Sequence, residues 1–344
     1  METPGFGGDT RFVPPRLSML QIAFGPMVQQ ALGIAAKLGI ADRLAAGAKT
    51  SADLAASTDT NEPALYRILR ALASAGIFTE TSARVFENTE MSELMRSDVP
   101  GSMRNSVIFM TASWHFNAWS EMMHSVKTGE TAWKETYGKE IFDWFAEHPT
   151  EAEVFNKAMT EMSAGSAPAV LEAYDFSGFK TLADIAGGHG YLLSQVLKAT
   201  PGLAGILFDV ASVIAGADQL LQEQGVAQRV QKVSGDFFKE VPASDGYIMR
   251  HIIHDWDDDR SIAILGCISS AMLPEGKVLI VETIVPEGNA PHFSKLLDLE
   301  MLTLPGGKER TEQEYKTLLE QAGFRLNRII PTNSPFSIVE AVRQ

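Results

Sequence analysis

Residues 181–209 read TLADIAGGHGYLLSQVLKATPGLAGILFD, in the order strand, glycine turn, helix, strand, acid. Leu182 to Ala186 is short and mostly apolar, the pattern of a buried parallel strand. Gly187, Gly188 and Gly190 let the chain turn sharply and let a ligand touch the backbone. Tyr191 to Ala199 follows with Leu192, Val196 and Ala199 on one helical face, and Pro201-Gly202 stops it. Gly205 to Phe208 is a second buried strand that ends on Asp209. A carboxylate there accepts two hydrogen bonds in a plane, which suits the paired hydroxyls of a ribose.

The same stretch discriminates among adenosine ligands. A dinucleotide fingerprint needs G-x-G-x-x-G, the last glycine for close helix packing and the helix end for a pyrophosphate. Counting from Gly188, this chain has Gly190 and then Leu193 in place of the third glycine. Asp184, just before the turn, opposes a pyrophosphate and suits a ligand with a positive amino group. S-adenosylmethionine has a ribose, an ammonium and no phosphate, so it fits the stretch best. A turn that joins strand to helix and binds nothing is the plain alternative.

The whole chain has 344 residues, room for two domains and a sizeable core. Its net charge of -14 disfavours a nucleic-acid partner, which needs a basic footprint. Met1 to Pro15 lacks the basic start and apolar run of a signal peptide. No apolar run of membrane-spanning length is expected. The single Cys267 reads as a core thiol. Together these predict a soluble, cytoplasmic protein without a membrane partner.

Residues 1–15 read as a flexible tail. Residues 16–100 begin with a helical stretch, Leu17 to Leu44, with a break expected at Gly25-Pro26. Ser51 is placed to cap a short helix, Ala52 to Ala56, and Pro63 opens a longer one that buries Leu65, Ile68, Leu69 and Leu72. Ile77-Phe78 and Val85-Phe86 flank a polar turn, so a small hairpin follows. Helix, turn, helix, wing is a winged-helix plan, which often reads DNA. Residues 1–100 carry nine Lys or Arg against eleven Asp or Glu, so a structural or dimerising role fits better. Residues 101–175 form a helical linker rich in large side chains, among them Met110, Trp114, Phe116, Phe155, Met159 and Met162. Core packing accounts for most of these; Trp and Met also make adaptable walls for flat aromatic ligands.

Residues 176–344 alternate strand and helix, the mark of a doubly wound α/β sheet. Strands are predicted near Leu182, Ile206, Val230, Ile248, Leu279, Leu326 and Ile338, with helices at Tyr191–Ala199, Val213–Gln224, Ser261–Met272 and Thr311–Ala322. The last connection, Ile330 to Phe336, is too short for a parallel crossover, so the seventh strand must return antiparallel. Ligands in such sheets bind beyond the carboxyl ends of the strands. Those ends offer the glycine turn, then Asp209, then Asp236-Phe237, then Arg250 with His254-Asp255-Trp256, then Glu282. Asp236 suits an adenine amino group and Phe237 its ring, although Asp236 equally suits a turn cap. His254-Asp255 equally suits the start of a helix.

Taken in order, D-I-A-G-G-H-G, L-F-D, G-D-F-F, R-H-I-I-H-D-W-D-D, K-V-L-I-V-E-T and P-G-G-K-E-R-T make the resemblance specific. From about Phe24 to its end the chain resembles the homodimeric small-molecule O-methyltransferases that include caffeic acid, acetylserotonin and bacterial polyketide and phenazine enzymes. The resemblance implies a Rossmann-like class I methyltransferase domain with a seven-stranded sheet, and an N-terminal winged-helix dimerisation domain. It implies His254 as catalytic base with Glu282 and Glu309 flanking it. It implies S-adenosylmethionine contacts from Gly188, Asp209, Asp236, Phe237, Arg250 and Ser163, beside those read above from Asp184, Gly187 and Gly190. Met159 and Met162 match pocket positions, and Asp255 and Met301 complete the expected wall for a small aromatic acceptor. Three positions depart from the usual pattern: Ala186 replaces glycine, His189 replaces a small residue, and Arg250 replaces lysine. Leu304 stands where plant phenylpropanoid enzymes carry a polar residue, which argues against a lignin-type substrate.

The chemistry follows from the residue types. A phenol has a pKa of about 10 and an ordinary imidazole about 6.5, so proton transfer is uphill by roughly 5 kcal/mol. A carboxylate on the other imidazole nitrogen and a nearby sulfonium close that gap. Hence a phenol, enol or heteroaryl hydroxyl is expected, without a metal. The rivals are N-methylation or a non-methylating reaction on the same fold, a winged-helix regulator, and a dehydrogenase.

Overall fold

A computed structural model describes residues 14–344. The expected tail, residues 1–15, lies almost wholly outside the described residues. The chain divides into two compact units that meet in sequence at Phe116 and Asn117.

The N-terminal unit opens with one continuous helix, Pro15–Lys37, with Pro26 inside it. The break expected at Gly25-Pro26 is absent. Its two halves join into a helix of 23 residues that is long and apolar enough to cross a membrane by length and composition alone; Arg16, Gln21, Gln29, Gln30 and Lys37 interrupt its apolar sequence. Leu17, Leu20, Ile22, Phe24 and Met27 on this helix are exposed, while Ala31, Ala35 and Ala36 near its end are buried. Strands β1 (Lys49–Thr50), β2 (Phe78–Ser82) and β3 (Val85–Asn88) form an antiparallel sheet in the order β1-β3-β2. Helices Ser51–Thr58 and Glu62–Ser74 pack with them through Leu54, Leu65, Leu69, Leu72, Phe78 and Phe86. The first of these helices is capped by Thr50, whose hydroxyl accepts from the Asp53 N–H at 3.0 Å, and not by Ser51.

The second unit carries seven strands: β4 (Thr181–Ile185), β5 (Ala204–Asp209), β6 (Val230–Ser234), β7 (Ser244–Arg250), β8 (Met272–Glu282), β9 (Phe324–Pro331) and β10 (Ser337–Arg343). Their order is β6-β5-β4-β7-β8-β10-β9. β4 to β8 pair in parallel, and β10 runs antiparallel to both β8 and β9. The final hairpin is therefore the one the short Pro-containing connection requires. Alternate residues of each parallel strand enter two cores: Ala183, Tyr247, Met249 and Ile280 on one face, Leu182, Leu207, Ile248 and Leu279 on the other. Helix Tyr191–Ala199 has the predicted bounds. The predicted helix Val213–Gln224 is instead two pieces, Ala211–Ile214 and Ala217–Glu223, which break at Gly216.

Candidate functional site

Strand order reverses at β4, with β5 on one side and β7 on the other, and ligands in open α/β sheets bind at such a switch point. The turn after β4 is held by backbone. Gly190 N–H donates to Gly187 O at 2.9 Å, and Gly188 and Gly190 take φ of +60° and +79°. Ala186 also sits at φ +54°, a conformation that costs a side-chain-bearing residue roughly 1–2 kcal/mol. A Cβ on Gly187 would fall 2.6 Å from the Asp184 carboxyl carbon, so glycine is required there. Asp184 lies buried beneath the turn, and burial with the charge of Asp209 pushes it up to about 7. Asp209 accepts from Gly188 N–H at 2.9 Å with one oxygen and from Val210 N–H at 2.7 Å with the other. Each oxygen keeps a lone pair free, so the carboxylate can still take two hydroxyls.

Arg250 ends β7. Its Nε donates to Ser166 Oγ at 3.0 Å, and one terminal nitrogen is buried without a hydrogen-bond partner among the described residues. Burial pulls this guanidinium down to about 9. A buried, half-satisfied cation beside a glycine turn fits the carboxylate of an amino-acid moiety. Met159, Met162, Ser163 and Ser166 recur at helical spacing along Pro149–Ala173, the two methionines half-buried and the serines buried. Asp236 follows β6 and closes its own turn: Oδ1 accepts from Phe238 N–H at 3.0 Å and Oδ2 pairs with Lys239 at 3.1 Å. Phe237 stands edge-on to Trp256 at 5.9 Å.

The segment after β7 places His254 in a short 3-10 turn, Ile253–Asp255. His254 is 3 % exposed, and its Nδ1 meets Glu309 Oε1 at 2.5 Å. Thr283 Oγ donates to the other oxygen of Glu309. Burial opposes charge on the ring, but the hydrogen bond to Glu309 and the fields of Asp255, Glu282 and Glu309 outweigh it and push His254 up to about 9. Glu282 bonds main-chain N–H groups instead of the imidazole. Its Oε1 accepts from the N–H groups of Ile252, Ile253 and His254 at 3.1, 2.7 and 3.1 Å, and Tyr315 donates to Oε2. Asp255 lies 3.6 Å from His254 Nε2, and burial pushes it up to about 7.

Three positioning residues escaped the sequence reading. Arg310 is fully buried and donates to Ile253 O at 3.0 Å and Trp256 O at 2.9 Å, while it pairs with Asp258 at 2.8 Å. Thr283 and Tyr315 orient the two glutamates as above. Gly307 lies against the main chain of His254 to Trp256, where any Cβ would collide. The run K-E-R-T, residues 308–311, which contains Glu309, was the one available signal for Arg310.

The expected pocket residues come from several elements, some in each unit. Met301 is buried on helix Phe293–Thr303. Phe155 stacks on Phe145 at 4.9 Å in an aromatic cluster. Met110, Trp114 and Phe116 belong to the N-terminal unit, where Met110 is exposed and the other two are half-buried. Among the described residues no group of three or more His, Cys, Asp or Glu is arranged to hold a metal ion.

A seven-stranded sheet with an antiparallel last strand, a glycine turn after β4 and an acid at the end of β5 define a class I methyltransferase fold. Residues 119–325 match the O-methyltransferase domain family, and residues 20–98 match the O-methyltransferase dimerisation domain. The chain belongs to this family of S-adenosylmethionine-dependent O-methyltransferases. It is 48% identical over 330 residues to phenazine O-methyltransferase PhzM of Lysobacter antibioticus, covering 96% of each chain. A solved structure of LaPhzM superposes with a TM-score of 0.93 at 47% identity, covering 96% of this chain and 100% of that one. NcsB1 of neocarzinostatin biosynthesis, solved with S-adenosylmethionine and 2-hydroxy-5-methyl naphthoic acid, superposes with a TM-score of 0.81 at 30% identity over 97% of this chain and 100% of that one. An 8-amino-8-demethylriboflavin N,N-dimethyltransferase of Streptomyces davaonensis is 36% identical over 310 residues, covering 89% of each chain.

Proposed function

We propose that this protein methylates a hydroxyl of a small aromatic or polyketide-like metabolite, with His254 as the base. The observation that carries the reading is the buried His254–Glu309 pair at 2.5 Å beside the switch point of the sheet. The bound cofactor supplies an electrophilic methyl group. Gly187, Gly188 and Gly190 hold it by backbone, Asp209 takes the ribose, and Asp236 with Phe237 faces the adenine. Arg250 and Ser163 hold its carboxylate end, and Asp184 balances its ammonium.

His254 Nε2 takes the proton of the acceptor hydroxyl, and Glu309 stabilises the imidazolium through Nδ1. With His254 near 9 and a phenol near 10, transfer is uphill by about 1.4 kcal/mol in place of about 5 kcal/mol for an ordinary imidazole. Glu282 and Arg310 fix the turn that carries the ring. Met159, Met162, Asp255 and Met301 are assigned to the acceptor side. PhzM and NcsB1 support a flat, hydroxylated acceptor, while the riboflavin relative shows that amines are taken on this fold. A charge-stabilised base favours oxygen, because a hydroxyl must lose its proton to react.

Most of the exposed apolar face of helix Pro15–Lys37 lies within the stretch matched to the dimerisation domain, which supports a homodimer that covers it. The test is calorimetry with S-adenosylhomocysteine followed by a methyl-transfer screen of phenols. Micromolar binding with methylation of a phenol is expected; binding with methylation of anilines alone would favour the amine reading.

A further inference from the structure

The glycine turn contains one residue that neither turns the chain nor belongs to the sites above. His189 lies between Gly188 and Gly190, half-buried, and its Nδ1 meets Thr160 Oγ1 at 3.2 Å. Thr160 is on helix Pro149–Ala173, next to Met159 and one turn before Ser163. The Thr160 hydroxyl already donates to Asn156 O at 2.9 Å. Its single proton is used, so it accepts from His189 and Nδ1 must carry the ring proton. Nε2 then faces Gly216 as a lone pair, so close that a Cβ on Gly216 would fall 2.9 Å from it. The imidazole is thus held on two sides, by the helix on one and by the break after β5 on the other. Burial and the charge of Lys157 lower the proton affinity of the ring, which favours the neutral Nδ1–H form.

We propose that His189 is a positioning residue that ties the cofactor turn to helix Pro149–Ala173, so that filling the turn orders the helix bearing Met159, Met162 and Ser163. The link gives a physical route for ordered binding. A side chain rooted between two left-handed glycines moves with the turn, and a hydrogen bond passes that restraint to the acceptor-side helix. A small residue at this position has no such reach, so this chain gains a coupling that the glycine turn alone does not provide. The inference rests on the reading of the turn as the S-adenosylmethionine site.

The test is hydrogen exchange on the full chain with and without S-adenosylhomocysteine, in wild type, Thr160→Val, Thr160→Ser and His189→Ala. In wild type the ligand is expected to slow exchange about fivefold or more in both the glycine turn and residues 155–165. Thr160→Val and His189→Ala keep the slowing in the turn and cut it about twofold or more in residues 155–161, beyond the direct contact of Ser163, and Thr160→Ser restores it. Helix protection that persists in Thr160→Val overturns the proposal, as does a loss that Thr160→Ser fails to restore. Failure of the underlying reading looks different: the ligand then protects neither segment in wild type.

Discussion

The turn after β4 is held by its own backbone, whereas the turn after β7 is held by side chains from far along the chain. In the first, positive-φ glycines and the Gly190–Gly187 bond set the shape, and Asp209 adds one contact from the next strand. In the second, His254 depends on Glu282 and on the adjacent Glu309 and Arg310, from two later segments. The difference matches the tasks. A cofactor cradle needs main-chain N–H groups and room. A base needs one side chain at one angle with a shifted proton affinity, which only surrounding charges can give.

The largest expected effect is on the histidine side. His254→Ala should cut turnover by about a thousandfold or more, with S-adenosylhomocysteine affinity within about twofold of wild type by calorimetry. Full turnover in that variant would remove the base. Glu309→Gln keeps the shape of the contact and removes its charge, so kcat should fall by about a hundredfold while the cofactor still binds. Arg310→Met removes the donor to the Ile253 and Trp256 carbonyls and one of the two cations on Asp258, which keeps Lys308, and should lower unfolding free energy by about 3 kcal/mol in denaturant titration. An effect under about 0.5 kcal/mol would mean that the turn holds itself. On the glycine side the expected sign reverses. Ala186→Gly relieves a left-handed alanine and should raise stability by about 0.5–1 kcal/mol with little change in kcat.

The same contrast explains what could be read before the structure. The seven strands, the antiparallel hairpin and the glycine turn are local patterns, and local patterns survive in one sequence. The ends of β4, β5, β7 and β8 carry polar residues that the sheet brings to one edge, so Asp209, Arg250, His254 and Glu282 were visible as positions. Glu309, the partner of His254, entered only through the family resemblance, and the other partners were not visible. Glu282 stands at a strand end as expected but serves main-chain N–H groups, a contact no spacing rule encodes. Arg310 looks like a surface arginine until the 253–256 carbonyls surround it. Pro26 signals a break in isolation, yet helix Pro15–Lys37 runs through it.

pH supplies the closing test. His254 is raised in the folded protein from about 6.5 to about 9, so the ring is mostly protonated at pH 7 and the free base appears as pH rises toward 9. kcat/KM should therefore climb between pH 7 and 9, and the folding stability from this charge should be present below 6.5 and lost through 9. The direct measurement is an NMR titration of the His254 imidazole in wild type and in Glu309→Gln. The account predicts a midpoint near 9 in wild type and a clear fall when Glu309 loses its charge. A midpoint near 6.5 in both proteins would contradict it, because His254 would then owe nothing to the carboxylates arranged around it.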